Sequence, residues 1–288
     1  MSKYKPSNKV VKLAEIAGGI LLVGLFILPF LSMAGHKKIH VDDSASGTED
    51  GTSSHPYKTI TKALKHADSG DEIHVAKGEY KENIHLHDGI ELYGASRDRV
   101  IIKADDDDYE VVDLDDDTKI DKVTIKGGRF GVRVGKDEKA SITNCIIKDN
   151  KKDGFWLEES NTDDKYKVSI SDSIIKDNGR AGIHSAKRRL ILVDNEIIDN
   201  ESDGADIEGG SRVWLENNKI KNNDGSGLKL TLDGSSIWTD DNSFSENKRE
   251  GVEINSYGGA GRIDLHDSSI HGNDRWGIAR VQRNHFNS

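Results

Sequence analysis

A single cysteine, Cys145, stands among the 288 residues, so neither an intrachain disulfide nor a multi-cysteine metal site can form. Basic charge is also scarce. Lys and Arg number 41 against 51 Asp and Glu, a formal net charge of −10. Residues 1–35 hold Lys3, Lys5, Lys9, Lys12 and Glu15, which leaves 37 basic and 50 acidic residues, or −13, for the remainder. Such a body argues against nucleic acid as a partner, because that affinity rests on Lys and Arg displacing counterions from phosphates. A polyanionic substrate is disfavoured on the same ground unless a local basic patch receives it.

Long apolar runs are lacking as well, with one exception. Ile16 to Ala34 is 19 uncharged, largely apolar residues, close to the length that crosses a bilayer core. The four lysines before it orient residues 1–15 to the cytoplasm and the rest outward. The reading is a transmembrane signal-anchor over 16–34. The alternative is a cleaved signal peptide, because Ser32-Met33-Ala34 fits a small-x-small site. Either way the body is extracytoplasmic: membrane-anchored if the segment stays, secreted if it is removed. A linker over 35–39 follows, then an N-terminal cap with the first coils over 40–94 and repeats over 95–288.

The body carries one spacing six times. Asn150, Asn178, Asn200, Asn223, Asn247 and Asn273 are each followed four residues later by Gly154, Gly182, Gly204, Gly227, Gly251 and Gly277. An aliphatic or aromatic residue lies three positions before each Asn, and an Asn or Asp six before. Successive glycines are 28, 22, 23, 24 and 26 residues apart. A period in the low twenties, built of short alternating segments and polar turns, signals a solenoid. The leucine-rich consensus is missing, and helical repeats need longer units. A parallel β-helix fits, its coils stacked about 4.8 Å apart. Asn stacked on Asn can donate and accept along a ladder inside a turn. Gly supplies a backbone conformation or close approach that a Cβ would oppose. Near the start, Ile60, Ala63, Leu64 and Ala67 share one helical face, with Thr59 as N-cap and Gly70 as the stop. A short helix there would shield the open end of the core. The other end has no comparable element.

The pattern [N/D]-x-x-I-x-x-N-x-x-x-G-[I/V/L/F] resembles the repeats of the pectate-lyase-like superfamily, which includes periplasmic NosD-type and carbohydrate-processing members. Val41 to Leu86, VDDSASGTEDGTSSHPYKTITKALKHADSGDEIHVAKGEYKENIHL, resembles the N-terminal cap called DUF1565. Together these span about residues 40 to 283 and imply an all-β, right-handed parallel β-helix of roughly eight to ten coils. The resemblance also implies that the strand after each Gly lines the sugar cleft in the superfamily's enzymes. Function does not follow from fold, because lyases, hydrolases, epimerases and non-enzymes share it.

Strand alternation turns the second residue after each Gly outward. That column reads Arg133, Trp156, His184, Asp206, Lys229 and Glu253; two residues on, it includes Glu158, Glu208 and Asn255. Arg133, Trp156, Glu158 and Asn255 are candidates for substrate binding, with Trp156 stacking on a sugar ring. Asp206, Glu208 and Glu253 are candidate acids and bases, and Lys229 or His184 a candidate proton acceptor. The competing reading makes Asp206, Lys229 and Glu253 an exposed charge ladder. Asn161-Thr162-Asp163-Asp164 mimics a polygalacturonase-type signature, but its G-H-G and R-I-K companions are missing, as is the DPHE of alginate epimerases. The loops over 158–167 and 255–261 would wall the face. A second outward column places Ile191, Trp214 and Trp238 in one apolar strip, a candidate interface for a protein partner.

No cofactor motif is present. The acid runs Asp105–Asp108 and Asp115–Asp117 lack the glycine-punctuated spacing of a calcium loop, so calcium has only weak support. His85 and His87 share one strand face, but spacing supplies no third ligand. Two classes therefore stand: a surface protein that binds polysaccharide or a partner, and a polysaccharide lyase or hydrolase.

Overall fold

The computed structural model describes residues 35–282; the basic N-terminus and the predicted membrane segment lie outside them. Among the described residues no helix is long and apolar enough to cross a membrane. Lys38–Val41 pairs in parallel with the next strand, Glu72–Val75, and from there strands follow one another in threes, each pairing in parallel with the third before it. The first sheet has ten strands, from Lys38–Val41 to Arg262–Leu265. The second and third have nine each, from Gly78–Lys81 to Ser269–His271 and from Ile84–Leu86 to Ile278–Gln282. The chain thus winds as a right-handed parallel β-helix of nine three-strand coils, within the expected eight to ten.

Alternation fills the interior. Ile142, Ile147 and Phe155 point inward from the three strands of one coil, and their counterparts Ile170, Ile175 and Ile183 from the next. Each corner of the triangle has its own chemistry. Between the first and second sheets the chain bends through a left-handed residue: Asn144, Asp172, Asp194, Asn217, Asp241 and Asp267 all have positive φ. These are the Asn and Asp residues six before each ladder Asn. Short polar side chains tolerate that region best after Gly, which explains the repeat's choice there.

The corner between the second and third sheets holds the ladder. Nδ2 of Asn150 donates to Oδ1 of Asn178 at 2.8 Å, and the chain continues through Asn200, Asn223, Asn247 and Asn273 at 2.9–3.0 Å. Each Oδ1 also accepts the backbone N–H of the Asn one coil earlier, so an otherwise orphaned buried donor is satisfied. The glycines serve close approach and not an unusual φ. A Cβ on Gly204 would stand 2.6 Å from the Gly227 carbonyl oxygen and 2.9 Å from Nδ2 of Asn223. A second ladder, not anticipated, runs up the opposite corner: Ser173 N–H to Asn195, then Asn195 to Asn218 to Asn242.

At the N-terminal end the helix Ile60–Leu64 buries Ile60, Ala63 and Leu64 over the core. Thr59 caps it as expected, accepting from Lys62 N–H at 3.1 Å, and the Glu82 carboxylate accepts from Ile60 and Thr61 N–H. The helix stops at Leu64 rather than running to Ala67, and Gly70 instead makes the positive-φ turn into the next strand. At the other end Trp276, Ile278 and Val281 are exposed.

The ladder generates a graded prediction. Asn200→Ala leaves the buried N–H of Asn178 without an acceptor, at a cost of about 1–3 kcal/mol, and leaves its Nδ2 only the Ile147 carbonyl at 3.4 Å. Asn273→Ala strips the same two bonds from Asn247 at the partly buried last rung. Urea unfolding should show the Asn200 variant clearly less stable than the Asn273 variant. Equal midpoints would deny the ladder its role.

Candidate functional site

The third sheet presents its outward residues in register. His85, Asp113, Arg133, Trp156, His184, Asp206, Lys229 and Glu253 form one row, each paired with the next across adjoining strands. The row therefore starts two coils earlier than the column traced from the sequence, which began at Arg133, because the first coils lack the Asn–Gly signature. Three zones differ in chemistry.

The first is ionic. Arg133 forks between Asp113, at 2.7 Å, and Glu158, at 2.8 Å. Burial pulls its pKa down, but the two carboxylates outweigh that and raise it. Beside it Asp115 accepts from His85 Nε2 at 2.7 Å, and its other oxygen stands 3.6 Å from His87 Nδ1. Glu138 reaches back to accept from Gly135 N–H at 2.8 Å. Desolvation, with the like charges of Asp115 and Asp113, pushes its carboxyl up to about 7 against the pull of that amide and Arg133. Fully buried Arg188 fixes this turn by donating to the carbonyls of Glu158, Glu138 and Gly135.

The second zone is aromatic. Trp156 stacks on His184 at 4.3 Å between ring centroids, 10° apart, and on Phe130 from the preceding coil at 5.1 Å. Both faces of the indole are thus covered, and only its edge is left to a ligand. The expected flat stacking of Trp156 on a sugar ring does not fit this geometry. His184 is buried, with Nε2 3.8 Å from Glu208 Oε1.

The third zone gathers acids around one ammonium. Lys229 Nζ lies 2.8 Å from Asp206 and 3.6 Å from buried Asp203. Burial lowers the Lys229 pKa, but the bond to Asp206 and the charges of Asp206, Asp203 and Glu253 raise it overall. Lys229 is therefore a held cation and a poor proton acceptor, contrary to the role considered for it. Glu253 is only 4% exposed and so does not belong to an exposed charge ladder, and Asn255, considered for substrate binding, is buried beside it. Ser226 and Asn255 donate to Glu253 at 2.9 and 3.1 Å, and Arg249 lies 3.2 Å away. Burial raises its pKa, yet these donors and charges bring it below the ordinary value and keep it a carboxylate. Asp203 was not foreseen, because the residue before the repeat Gly varies from coil to coil. Its carboxyl is raised by burial.

An open cleft of about 420 Å³ lies over this zone, lined by Asp206, Glu208, Gly209, Lys229, Thr231, Asn255 and Tyr257. Tyr257 comes from the loop over 257–261, which Asp233 holds by accepting from Tyr257 N–H at 2.8 Å and from Gly259 N–H. That loop forms a wall as expected. Asn161 of the loop over 158–167 bonds to Asp137, away from this cleft. Ile191, Trp214 and Trp238 do align, on the first sheet, with Trp214 38% exposed. The acid runs give calcium no support. Lys81 pairs with Asp105, Lys151 with Asp107 and Asp108, and Lys139 with Asp117.

Glu138 sets a pH dependence. The folded carboxyl holds its proton to about 7, whereas its ordinary value is 4.5, so between these the native state binds more protons. Its contribution to stability is whole below about pH 4.5 and is lost as pH rises through about 7. Urea midpoints of wild type and Glu138→Gln, measured with EDTA from pH 4 to 8, should diverge across that window in favour of the variant. Parallel curves would contradict the assignment.

Comparison with known proteins agrees with this architecture. Among solved structures, the A-module of the Azotobacter vinelandii mannuronan C-5 epimerase AlgE4 superposes with a TM-score of 0.64 at 23% identity, covering 84% of this chain and 74% of that one. Pectate lyase Pel9A gives 0.65 at 14% identity, covering 85% and 79%. A pectin methylesterase from carrot gives 0.52 at 14%, covering 87% and 89%. At these identities the likeness is one of fold. No curated protein matches the sequence. The family model described as "Periplasmic copper-binding protein (NosD)" matches residues 65–274, and a periplasmic family accords with the extracytoplasmic placement expected from the N-terminal segment. That match spans well over half of the chain, which therefore belongs to the NosD family.

Proposed function

We propose that this is a membrane-anchored, extracytoplasmic protein that binds hydroxyl-rich polysaccharide along the outer face of its third sheet. The observation that carries the reading is the walled cleft over Asp206, Lys229, Asn255 and Tyr257, continuous with the row below it. Carboxylate, amide, hydroxyl and ammonium groups line it, a donor and acceptor set suited to sugar hydroxyls, and Tyr257 adds an amphipathic ring. The acidic body favours a neutral chain over a polyuronate. Structures of like fold whose names denote a mannuronan epimerase and a pectate lyase lend support to a polysaccharide ligand, though not to its neutrality.

A catalytic variant rests on Asp203 and Asp206, two carboxyls that share Lys229 in unequal surroundings. Burial raises Asp203, which suits that carboxyl to keep a proton. The copper in the family's description would need donors from this chain. Among the described residues only one group of three metal-binding donors contains two histidines: His85, His87 and Asp115.

The test is affinity electrophoresis of the full chain in mild detergent through a panel of neutral and acidic polysaccharides, with product analysis in parallel. Retention by a neutral polymer, weakened about tenfold by Tyr257→Ala or Asn255→Ala, is expected. Trp214→Ala should leave it unchanged. Loss of retention in the Trp214 variant instead would move the partner surface to the first sheet. New reducing ends abolished by Asp203→Asn would make the protein a hydrolase, and unsaturated products a lyase. No retention of folded protein by any polymer would end the polysaccharide reading.

A further inference from the structure

We propose that His85, His87 and Asp115 form a binding site for a borderline divalent transition-metal ion, with Cu(II) its tightest occupant. His85 lies on the first strand of the third sheet, Ile84–Leu86, and His87 follows one residue past its end, with the two rings side by side. Their centroids lie 4.7 Å apart at 59°, tilted rather than stacked, which lets a nitrogen of each turn toward one point. The next coil brings Asp113 into register with His85 and sets Asp115 one alternation further along, its carboxylate between the two imidazoles. One ligand atom from each of the three lies within 4.8 Å of the others.

A hydrogen-bonded His–Asp pair accounts for His85 alone. The 3.6 Å between His87 Nδ1 and the second Asp115 oxygen is beyond hydrogen-bond length. An ion with bonds of about 2.0–2.2 Å sets neighbouring ligand atoms roughly 3–3.5 Å apart, and the observed 2.7 and 3.6 Å bracket that spacing. The charge around the three residues also invites a cation. Asp113 and Glu138 lie near His85, and Arg133, a cation close by, is already shared between Asp113 and Glu158.

The donor set selects the ion. Two imidazoles and a carboxylate suit copper, zinc or nickel, and within that series affinity peaks at Cu(II). Calcium and magnesium require six or more oxygens and are disfavoured. All three side chains reach solvent, so the ion would retain open positions facing outward. The other His-containing group, Asp240, His266 and Asp267, has a single imidazole and makes a control of similar exposure. The proposal does not depend on polysaccharide binding, and failure of either leaves the other standing.

The experiment uses the full chain, stripped with EDTA and titrated with Cu(II) alone. Calorimetry should give one tight ion per chain, and the electron paramagnetic resonance spectrum should show coupling to two imidazole nitrogens. His85→Gln and His87→Gln should each lower affinity by at least about 100-fold, the upper end of what losing a supporting partner costs. His266→Gln should leave affinity and spectrum unchanged. Circular dichroism melts check that the variants fold, and Asp115→Asn, nearly isosteric, repeats the test without removing a ring. Retention of the tight site in the His85→Gln/His87→Gln double variant would overturn the proposal. So would absence of a tight site in wild type, or displacement of Cu(II) by equimolar Ca(II).

Discussion

The vertical stacking of one coil on the next, about 4.8 Å apart, is the constraint from which the remaining features follow. It is held at two corners by side-chain amides that lie flat in the stack. An Asn there has both a donor and an acceptor, so each rung satisfies the rung below and is satisfied by the rung above. The same oxygen takes up the backbone N–H that the turn would otherwise bury unpaired. Such a ladder tolerates no insertion. From the left-handed residue just before each Asn through to the repeat Gly the turn always has six residues, as in Asp149 to Gly154 and Asp199 to Gly204.

In the coils that carry the ladder, variation in coil length is therefore pushed to the third corner, where the chain passes from the third sheet to the first. There the connection runs from three residues, after Ser185, to ten, after Leu157. The loops that wall the outward face of the third sheet arise at this corner. Scaffold and site are thereby separated: two corners are committed to stacking, and the third is free to change.

In-register stacking also governs the electrostatics of the face. Side chains at equivalent positions meet at the coil spacing, so charges are paired along the axis rather than along the strand. Arg133 answers Asp113 and Glu158, and Lys229 answers Asp206 and Asp203. At the N-terminal end Asp115 has two imidazoles for company. The aromatic zone obeys the same geometry. Rings that stack along the axis spend their faces on each other, which is why Trp156 offers its edge.

The residue pattern by itself determined the solenoid, its period, the capping helix and which strand residues face outward. Each of these depends on local chemistry repeated many times, and repetition makes a weak signal legible. The corner ladder through Asn195, Asn218 and Asn242 occupies too few coils to have shown as a repeat. What only the tertiary structure decided is which side chains meet. Asp115 reaches His85 across 30 residues, and Asn255, Ser226 and Arg249 enclose Glu253 and keep it from solvent. Those contacts hang on loop lengths that vary from coil to coil and on rotamers chosen by neighbours one coil away. Alternation along a strand specifies a face, but burial on that face is set by what the adjoining coils and loops lay over it.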